Sequence, residues 1–176
     1  FRSKRIWSIK RLQDNSKYIN LSSAEDIATI KVRENYSKVF LEYRDDELNT
    51  VILPVRGYGL WGILYGYLAI SNDLNTIVGL EFYEHKETPG LGAEIDNPAW
   101  KALWNGKKLF DDEGNLLIKV VKGKVAMNEA DSNYKVDGLS GATLTSNGVT
   151  NLLAFWLGDL GYLKFLSNLK EEVTNV

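Results

Sequence analysis

The sequence predicts an α+β domain in which a mainly antiparallel sheet is flanked by helices. Apolar and polar residues alternate over 39–43 and 51–53, as in strands that bury one face. Two runs rich in aromatic and branched residues, 60–70 and 76–83, flank a polar loop in a hairpin pattern. Residues 147–157 instead carry apolar side chains at helical spacing. Strands grouped apart from helices are typical of the α+β class.

The first elements follow in order along the chain. Ser22 and Glu25 have the spacing of a capping box and precede an apolar stripe, so a helix is predicted from about 23 to 34. The two alternating strands come next, and the second is predicted to end before Pro54. The hairpin strands are expected to form the central antiparallel pair of the sheet.

A short helix is predicted after the hairpin. Asn97 suits its N-cap, Pro98 its first position and Gly106 its end. Three apolar side chains are predicted to share its inner face: Trp100, Leu103 and Trp104. A strand is expected over 116–121, and a polar linker over 123–135 then leads to the last predicted helix.

Composition excludes several classes of function. The 176 residues are 44% hydrophobic and 11% aromatic, which is enough for one domain with a core. A net charge of −2 gives no broad basic surface, which argues against nucleic acid as the main partner. The chain has no cysteine for disulfides, thiolate zinc sites or iron–sulfur clusters, and its single histidine, His85, is expected to be solvated. We therefore predict no metal site and no catalytic residue, and any redox role needs an organic cofactor.

The segment DGLSGATLTS, residues 137–146, carries the most information. It places the hydroxyl of Thr143 near the start of a helix, where unpaired N–H groups and the helix dipole favour an anion such as phosphate. Gly141 and Ala142 leave room for a bulky group beside the backbone. Taken alone, the residues favour a plain helix cap at Thr143. If Thr143 carries a group, two other hydroxyls remain to cap the helix: Thr145 and Ser146.

This segment resembles the D-x-x-[ST]-G-A-T motif of flavinylated subunits of membrane redox pumps, whose threonine carries FMN through a phosphoester bond. Further matches occur in the order of that family: GYGLWG at 57–62, ETPGLG at 87–92, NPAW at 97–100 and GKKLF at 106–110. Together they are similar to the C subunit of the sodium-translocating NADH:quinone reductase. The G subunit of the Rnf complex shares the threonine motif and the ETPGLG turn, and it is the close alternative.

The resemblance implies an FMN-binding domain with covalent FMN on Thr143, next to Gly141 and Ala142. A threonine hydroxyl is a poor nucleophile without an activating base. The resemblance accordingly implies a separate flavin transferase that uses FAD as donor. Asp137 and Ser140 would then be recognition elements of the modification motif rather than flavin ligands.

The resemblance also implies a pocket for the isoalloxazine ring. Four of its residues lie in the ETPGLG turn: Glu87, Thr88, Leu91 and Gly92. Trp61 is expected to stack on the ring, and Lys119 or Lys122 to stabilise its reduced form electrostatically. The same residues also fit a simple Pro-Gly turn, a core tryptophan and solvated lysines.

The family context implies a location at the membrane. A transmembrane anchor is expected ahead of the given sequence, so that residues 1–20 form a membrane-proximal helix and 21–176 a single FMN-binding domain. Three apolar residues would pack beneath the solvated face of that helix: Ile6, Ile9 and Leu12. The domain is expected on the periplasmic side of the bacterial inner membrane, held by a single span beside the other subunits of the complex.

Two further classes of function stay open. One is a flavin-free scaffold or binding module, in which the aromatic residues are core and the threonine caps a helix. The other is a nicotinamide-binding enzyme, because residues 57–62 spell G-x-G-x-x-G and Glu81 follows at the distance of a ribose-binding acid. A dinucleotide fingerprint must open a helix, however, and the residues after Gly62 predict a strand.

Overall fold

The computed structural model describes residues 3–10, 17–126 and 128–174. Its strands are β1 (Ser3–Lys10), β2 (Tyr18–Asn20), β3 (Val32–Glu34), β4 (Tyr36–Arg44), β5 (Glu47–Tyr58), β6 (Ile63–Ser71), β7 (Ile77–Glu84), β8 (Lys119–Val120) and β9 (Lys135–Val136). Its α-helices are α1 (Pro98–Ala102), α2 (Thr143–Trp156) and α3 (Leu163–Thr174). Short 3-10 helices occupy Gly92–Asp96 and Ser132–Tyr134.

The main sheet has five strands in the order β1-β4-β5-β6-β7, and all neighbours are antiparallel. The predicted α+β class is therefore confirmed. The predicted hairpin is β6 and β7, but its strands are not the central pair, because β7 lies at the edge of the sheet. The central strand is β5, which pairs with β4 on one side and β6 on the other.

The second predicted strand does not end at Pro54, since β5 continues to Tyr58. Proline is tolerated there because the pairing of β5 with β4 ends at Ile52, so no partner strand needs the missing N–H on that side. Side chains from α2 and from the turn before α3 satisfy carbonyl groups of this part of β5. The indole N–H of Trp156 donates to the carbonyl of Arg56, and the Tyr162 hydroxyl donates to that of Pro54, both at 2.7 Å.

The helix predicted after Ser22 is wrong, although its capping contact forms. The backbone N–H of Ser22 donates to the Glu25 carboxylate at 2.9 Å. Thr29 and Lys31 then adopt positive φ angles of 55° and 64°, which a right-handed helix does not allow. The Asp26 carboxylate accepts from the N–H groups of residues 30 and 31, at 2.8 and 2.7 Å. These local hydrogen bonds replace a helical ladder with a turn.

The helix predicted for residues 1–20 is also wrong. Residues 3–10 form β1, which pairs with β4 from Ser3↔Tyr43 to Lys10↔Tyr36, and β2 pairs with β3. The ladder satisfies backbone groups of β4 that would otherwise lie on a free sheet edge. Leu12 lies outside the described residues. The membrane-proximal position and the domain boundary at residue 20 stay predictions.

The core lies between the sheet and α2. Five residues of the last predicted helix are buried as expected: Val149, Leu152, Leu153, Trp156 and Leu157. Two glycines allow a close approach, because a Cβ on Gly57 would lie 2.7 Å from Leu152 Cβ and one on Gly148 would lie 2.4 Å from the Tyr58 carbonyl oxygen. The middle of α2 is thereby placed against the end of β5.

The short predicted helix is α1, and its cap is confirmed. The Asn97 side chain accepts a hydrogen bond from the N–H of Ala99 at 2.9 Å. Trp100 and Trp104 are buried, whereas Leu103 is 36% exposed. The prediction that Leu103 shares the buried face is therefore wrong; Leu103 is the C-cap of α1, which ends at Ala102. The strand predicted over 116–121 is reduced to the two residues of β8, and α3 had not been predicted.

Asp73 holds the loop between β6 and β7. Its carboxylate accepts from the N–H groups of Asn75 and Thr76, at 2.9 and 2.7 Å, from the Thr76 hydroxyl, and from the Lys108 ammonium at 3.3 Å. Burial raises the pKa of Asp73, but these hydrogen bonds outweigh it, so that the pKa falls to about 2. The loop is thus fixed by an ionised side chain.

Candidate cofactor site

Thr143 is the first residue of α2, and its side chain is exposed. The N-cap is Ala142, and no side chain of the described residues caps this helix. The capping interpretation of Thr143 is therefore wrong, as is the expectation that Thr145 or Ser146 caps the helix. Ser146 instead accepts a hydrogen bond from the N–H of Leu139 at 3.1 Å. The N–H groups of the first turn of α2 are left available to a ligand.

Gly141 makes the turn into α2. Its φ angle is +70°, a left-handed conformation that side chains rarely adopt. Among the described residues, the only atom within 4 Å of its Cβ position belongs to Leu91, at 2.9 Å. The side chain of Leu91 thus lies against Gly141, and Ala142 is buried, so room for a bulky group beside these two residues stays a prediction.

The motif segment runs beside a lysine-containing loop. The N–H of Gly138 donates to the carbonyl of Gly123 at 2.7 Å, next to the parallel pairing of β8 and β9. One carboxylate oxygen of Asp137 accepts from the N–H of Val125 at 2.8 Å. The carbonyl of Asp137 accepts from the Trp100 indole at 2.8 Å. Asp137 thus orders the loop as well as being part of the motif.

A cavity of about 410 Å³ lies between this loop and α2. The residues that line it include Lys122, Lys124, Ser140, Thr143 and Asn147. Lys122 and Thr143 line the same cavity, and a role of Lys122 beside a flavin stays a prediction. Lys119 is exposed on β8 and does not line this cavity. Lys124 and Asn147 were missed, although each is only a few residues from a predicted site residue.

Glu87 points inward from the ETPGLG turn. Its side chain is buried, with 5% of the residue exposed. One carboxylate oxygen accepts from the N–H groups of Leu60 and Trp61, at 3.0 and 2.9 Å, and the other accepts from the hydroxyl of Thr145 at 2.5 Å. The turn at Trp61, the ETPGLG turn and the first turn of α2 therefore meet at one side chain.

Three large apolar side chains are exposed on segments joined at this point. Trp61 is 62% exposed, Leu91 44% and Leu144 58%. The alternative in which Trp61 belongs to the core is therefore wrong. Leu144 was not predicted from the sequence, although it directly follows Thr143 and lies outside the buried stripe of α2. Thr88 is also exposed, whereas Gly92 is buried.

The nicotinamide alternative lacks its structural context. Gly62 is followed by β6 rather than by a helix, and Glu81 forms an ion pair with Lys101 at 2.8 Å. The expectation that His85 is solvated is wrong. Its ring contacts the Asp96 carboxylate at 2.7 Å and accepts from the N–H of Glu87 at 3.1 Å.

Two features are absent from the part of the chain that the structure describes. No group of three or more potential metal-ligating side chains occurs among these residues. None of their helices has the length and apolar character required to cross a bilayer.

The model of the family described as FMN-binding domain matches residues 59–158, which is more than half of the chain. The match includes the ETPGLG turn, the lysine loop and the threonine motif. The chain belongs to the FMN-binding domain family.

Curated relatives of this FMN-binding domain are C subunits of the Na(+)-translocating NADH-quinone reductase. The C subunit of Pseudomonas aeruginosa is 55% identical over 163 residues, which cover 93% of this chain and 62% of the relative. The C subunit of Yersinia pestis is 48% identical over 161 residues, which cover 91% and 59%. The chain thus spans about three fifths of the length of these relatives.

Solved structures agree with this relationship. NqrC of Shewanella oneidensis superposes with a TM-score of 0.84 at 36% identity, covering 96% of this chain and 85% of that one. The C subunit from Parabacteroides distasonis gives a TM-score of 0.64 at 40% identity, with coverage of 76% and 64%. The resemblance to the C subunit is therefore confirmed, and the homologues are subunits of an oxidoreductase complex.

Proposed function

We propose that this chain is an electron-transfer domain that carries one FMN through a phosphoester bond on Thr143. It acts within a membrane-bound sodium-translocating NADH:quinone reductase. The observation that carries the proposal is the position of Thr143, whose exposed hydroxyl lies at an uncapped helix start beside a cavity with two lysines.

The phosphate end of FMN suits the surroundings of Thr143. The free N–H groups at the start of α2 favour a negative charge, and the dipole of the helix adds to this preference. Lys122 and Lys124 add positive charge along the same cavity. Gly141 leaves the backbone open beside the attachment point.

The ring of FMN is apolar on both faces, and the exposed apolar side chains near the motif suit it. We assign Trp61, Leu91 and Leu144 to the ring surface, with Thr88 at its edge. Gly92 supports this surface from behind, because a Cβ there would lie 2.6 Å from the Thr145 hydroxyl. Lys122 is a better candidate than Lys119 for stabilising a reduced ring, since only Lys122 lines the cavity.

Bound FMN supplies reversible one-electron and two-electron redox chemistry. The chain contributes position rather than acid–base catalysis. The covalent bond to Thr143 prevents loss of the cofactor. The packing of α2 against the sheet fixes the position of the attached FMN. The chain alone would not oxidise NADH, so its electron partners are the other subunits of the complex.

The proposal includes how FMN is attached to the domain and where the domain lies in the cell. A flavin transferase would attach FMN and would meet Ser140 and Thr143 at the surface of the folded domain, because both residues are exposed. Asp137 belongs to the same motif, although its carboxylate already binds the N–H of Val125. We place the domain on the periplasmic side of the bacterial inner membrane, held by a single-pass anchor outside the described residues.

Coexpression with a flavin transferase and export tests the attachment. Mass spectrometry is expected to find FMN less one water on the peptide that contains Thr143. Thr143→Val should abolish covalent flavin with little effect on folding, because the side chain is exposed. Ser167→Ala, at an exposed hydroxyl residue of α3 that does not line the cavity, is the matched control and should keep the covalent flavin. Covalent flavin that persists in Thr143→Val would contradict the assignment, and an unmodified parent chain would favour a flavin-free module.

A further inference from the structure

The buried carboxylate of Glu87 has an internal partner for each oxygen. Backbone N–H groups of Leu60 and Trp61 donate to one oxygen, and the Thr145 hydroxyl donates to the other. Leaving a buried hydrogen-bond donor or acceptor without its partner is costly. These hydrogen bonds therefore hold the carboxylate in place.

Two glycines close the space around this side chain. A Cβ on Gly59 would lie 2.7 Å from one carboxylate oxygen of Glu87, and a Cβ on Gly92 would lie 2.5 Å from the other. Backbone thus approaches the carboxylate from both sides. Glu87 is enclosed by the fold rather than presented to a ligand at the surface.

Helix geometry places Thr143 and Thr145 on different sides of α2. Residues two positions apart point about 200° away from each other around a helix. Thr145 is fully buried and contacts Glu87, whereas Thr143 is exposed. Glu87 therefore acts on the attachment helix from behind, while its other oxygen holds the turn that carries the exposed Trp61.

We propose that Glu87 is a positioning residue that fixes the Trp61 turn relative to Thr143 through the hydroxyl of Thr145, without touching the flavin. The consequence for the flavin rests on the proposed function. The positioning itself is a property of the chain without cofactor.

Amide hydrogen exchange in the 176-residue chain without flavin tests the positioning. Glu87→Met removes the acceptor at similar side-chain length, so we expect exchange at the amides of Leu60 and Trp61 to become about tenfold faster or more. Glu87→Gln keeps one oxygen for these amides and offers its NH₂ group to Thr145, and it should keep the parent rates. Glu84→Gln, at an exposed glutamate of β7, is the matched control.

A second pair of variants removes the anchor without altering Glu87. Thr145→Val should also speed exchange at Leu60 and Trp61, whereas Thr145→Ser keeps the hydroxyl and should restore protection. This pair of variants tests the positioning of the Trp61 turn even if Glu87→Met does not fold. Parent exchange rates in Thr145→Val, or rates in Glu87→Gln as fast as in Glu87→Met, would overturn the inference.

Flavin fluorescence of the modified chain extends the test to the cofactor. The fluorescence yield should change in Thr145→Val and stay at the parent value in Thr145→Ser. A parent yield in Thr145→Val would overturn the effect on the flavin. If Thr143 never accepts FMN, the proposed function fails while the exchange result still stands, so the two failures are distinguishable.

Discussion

Replacing Gly148 by alanine tests how α2 is held against the end of β5. A Cβ on Gly148 would lie 2.4 Å from the carbonyl oxygen of Tyr58 and 3.0 Å from Cα of Gly59. Carbon–oxygen contacts normally begin at about 3.3 Å, so helix and turn must separate by about 1 Å. Both obstructing atoms belong to the backbone, and no side-chain rotation relieves the contact.

The expected cost follows from two opposing effects. Overpacking costs about 1–3 kcal/mol, and obstruction by backbone favours the upper end of that range. Alanine in a helix interior is favoured over glycine by about 1 kcal/mol. We expect the free energy of unfolding of Gly148→Ala to fall by about 2 kcal/mol, which lowers Tm by about 4–8 °C for a domain of this size.

Urea unfolding followed by tryptophan fluorescence measures this difference. Gly79→Ala is the matched control, because none of the described atoms lies within 4 Å of its Cβ position. That variant should keep or gain stability, since alanine in a strand costs less conformational entropy than glycine. If Gly148→Ala proved as stable as Gly79→Ala, the close packing of α2 against the end of β5 would be refuted.

Three further predictions concern other parts of the domain. The pKa of Asp73 is about 2 in the folded chain, below the value of about 3.9 in an unfolded chain. Ionised Asp73 therefore stabilises the fold above about pH 4, and this contribution is lost as the pH falls towards 2. Asp73→Asn should therefore cost about 1 kcal/mol at about pH 7, after allowance for solvent screening, and less near pH 2, as measured by urea unfolding. Tyr162→Phe removes the hydroxyl that donates to Pro54 and should cost about 1 kcal/mol in the same assay. In flavinylated protein, Lys122→Ala should lower the one-electron reduction potential in spectroelectrochemical titration, because a positive charge near the ring is lost.

Each of these predictions has its own contradicting result. A constant difference between Asp73→Asn and the parent across the pH range would show that ionisation of Asp73 does not stabilise the loop. Parent stability in Tyr162→Phe would mean that water replaces the hydroxyl at Pro54. An unchanged potential in Lys122→Ala would remove this lysine from the flavin environment.

The parts of the fold predicted well from the sequence are those governed by local periodicity. The buried face of the last predicted helix is encoded by five apolar residues at helical spacing, four of them in α2, and the hairpin of β6 and β7 by two apolar runs around a polar loop. The helix expected after Ser22 failed because its capping box formed without a helix. The positive φ angles at Thr29 and Lys31 arise from hydrogen bonds to Asp26, which apolar periodicity does not report.

The candidate site was predictable to the extent that its motifs are contiguous. Thr143 was placed correctly at the start of a helix because the small residues and the apolar stripe adjoin it in sequence. The position of Glu87 was not predictable, because its partner Thr145 is 58 residues away and only the folded chain brings them together. Leu144 was missed because an exposed leucine has no periodic signal of its own.

The most direct test of the account is the mass of the Thr143 peptide from protein purified from its native membrane. We predict that this peptide carries FMN less one water and that the denatured chain keeps flavin fluorescence. A native peptide of unmodified mass, from a denatured chain without flavin fluorescence, would contradict it.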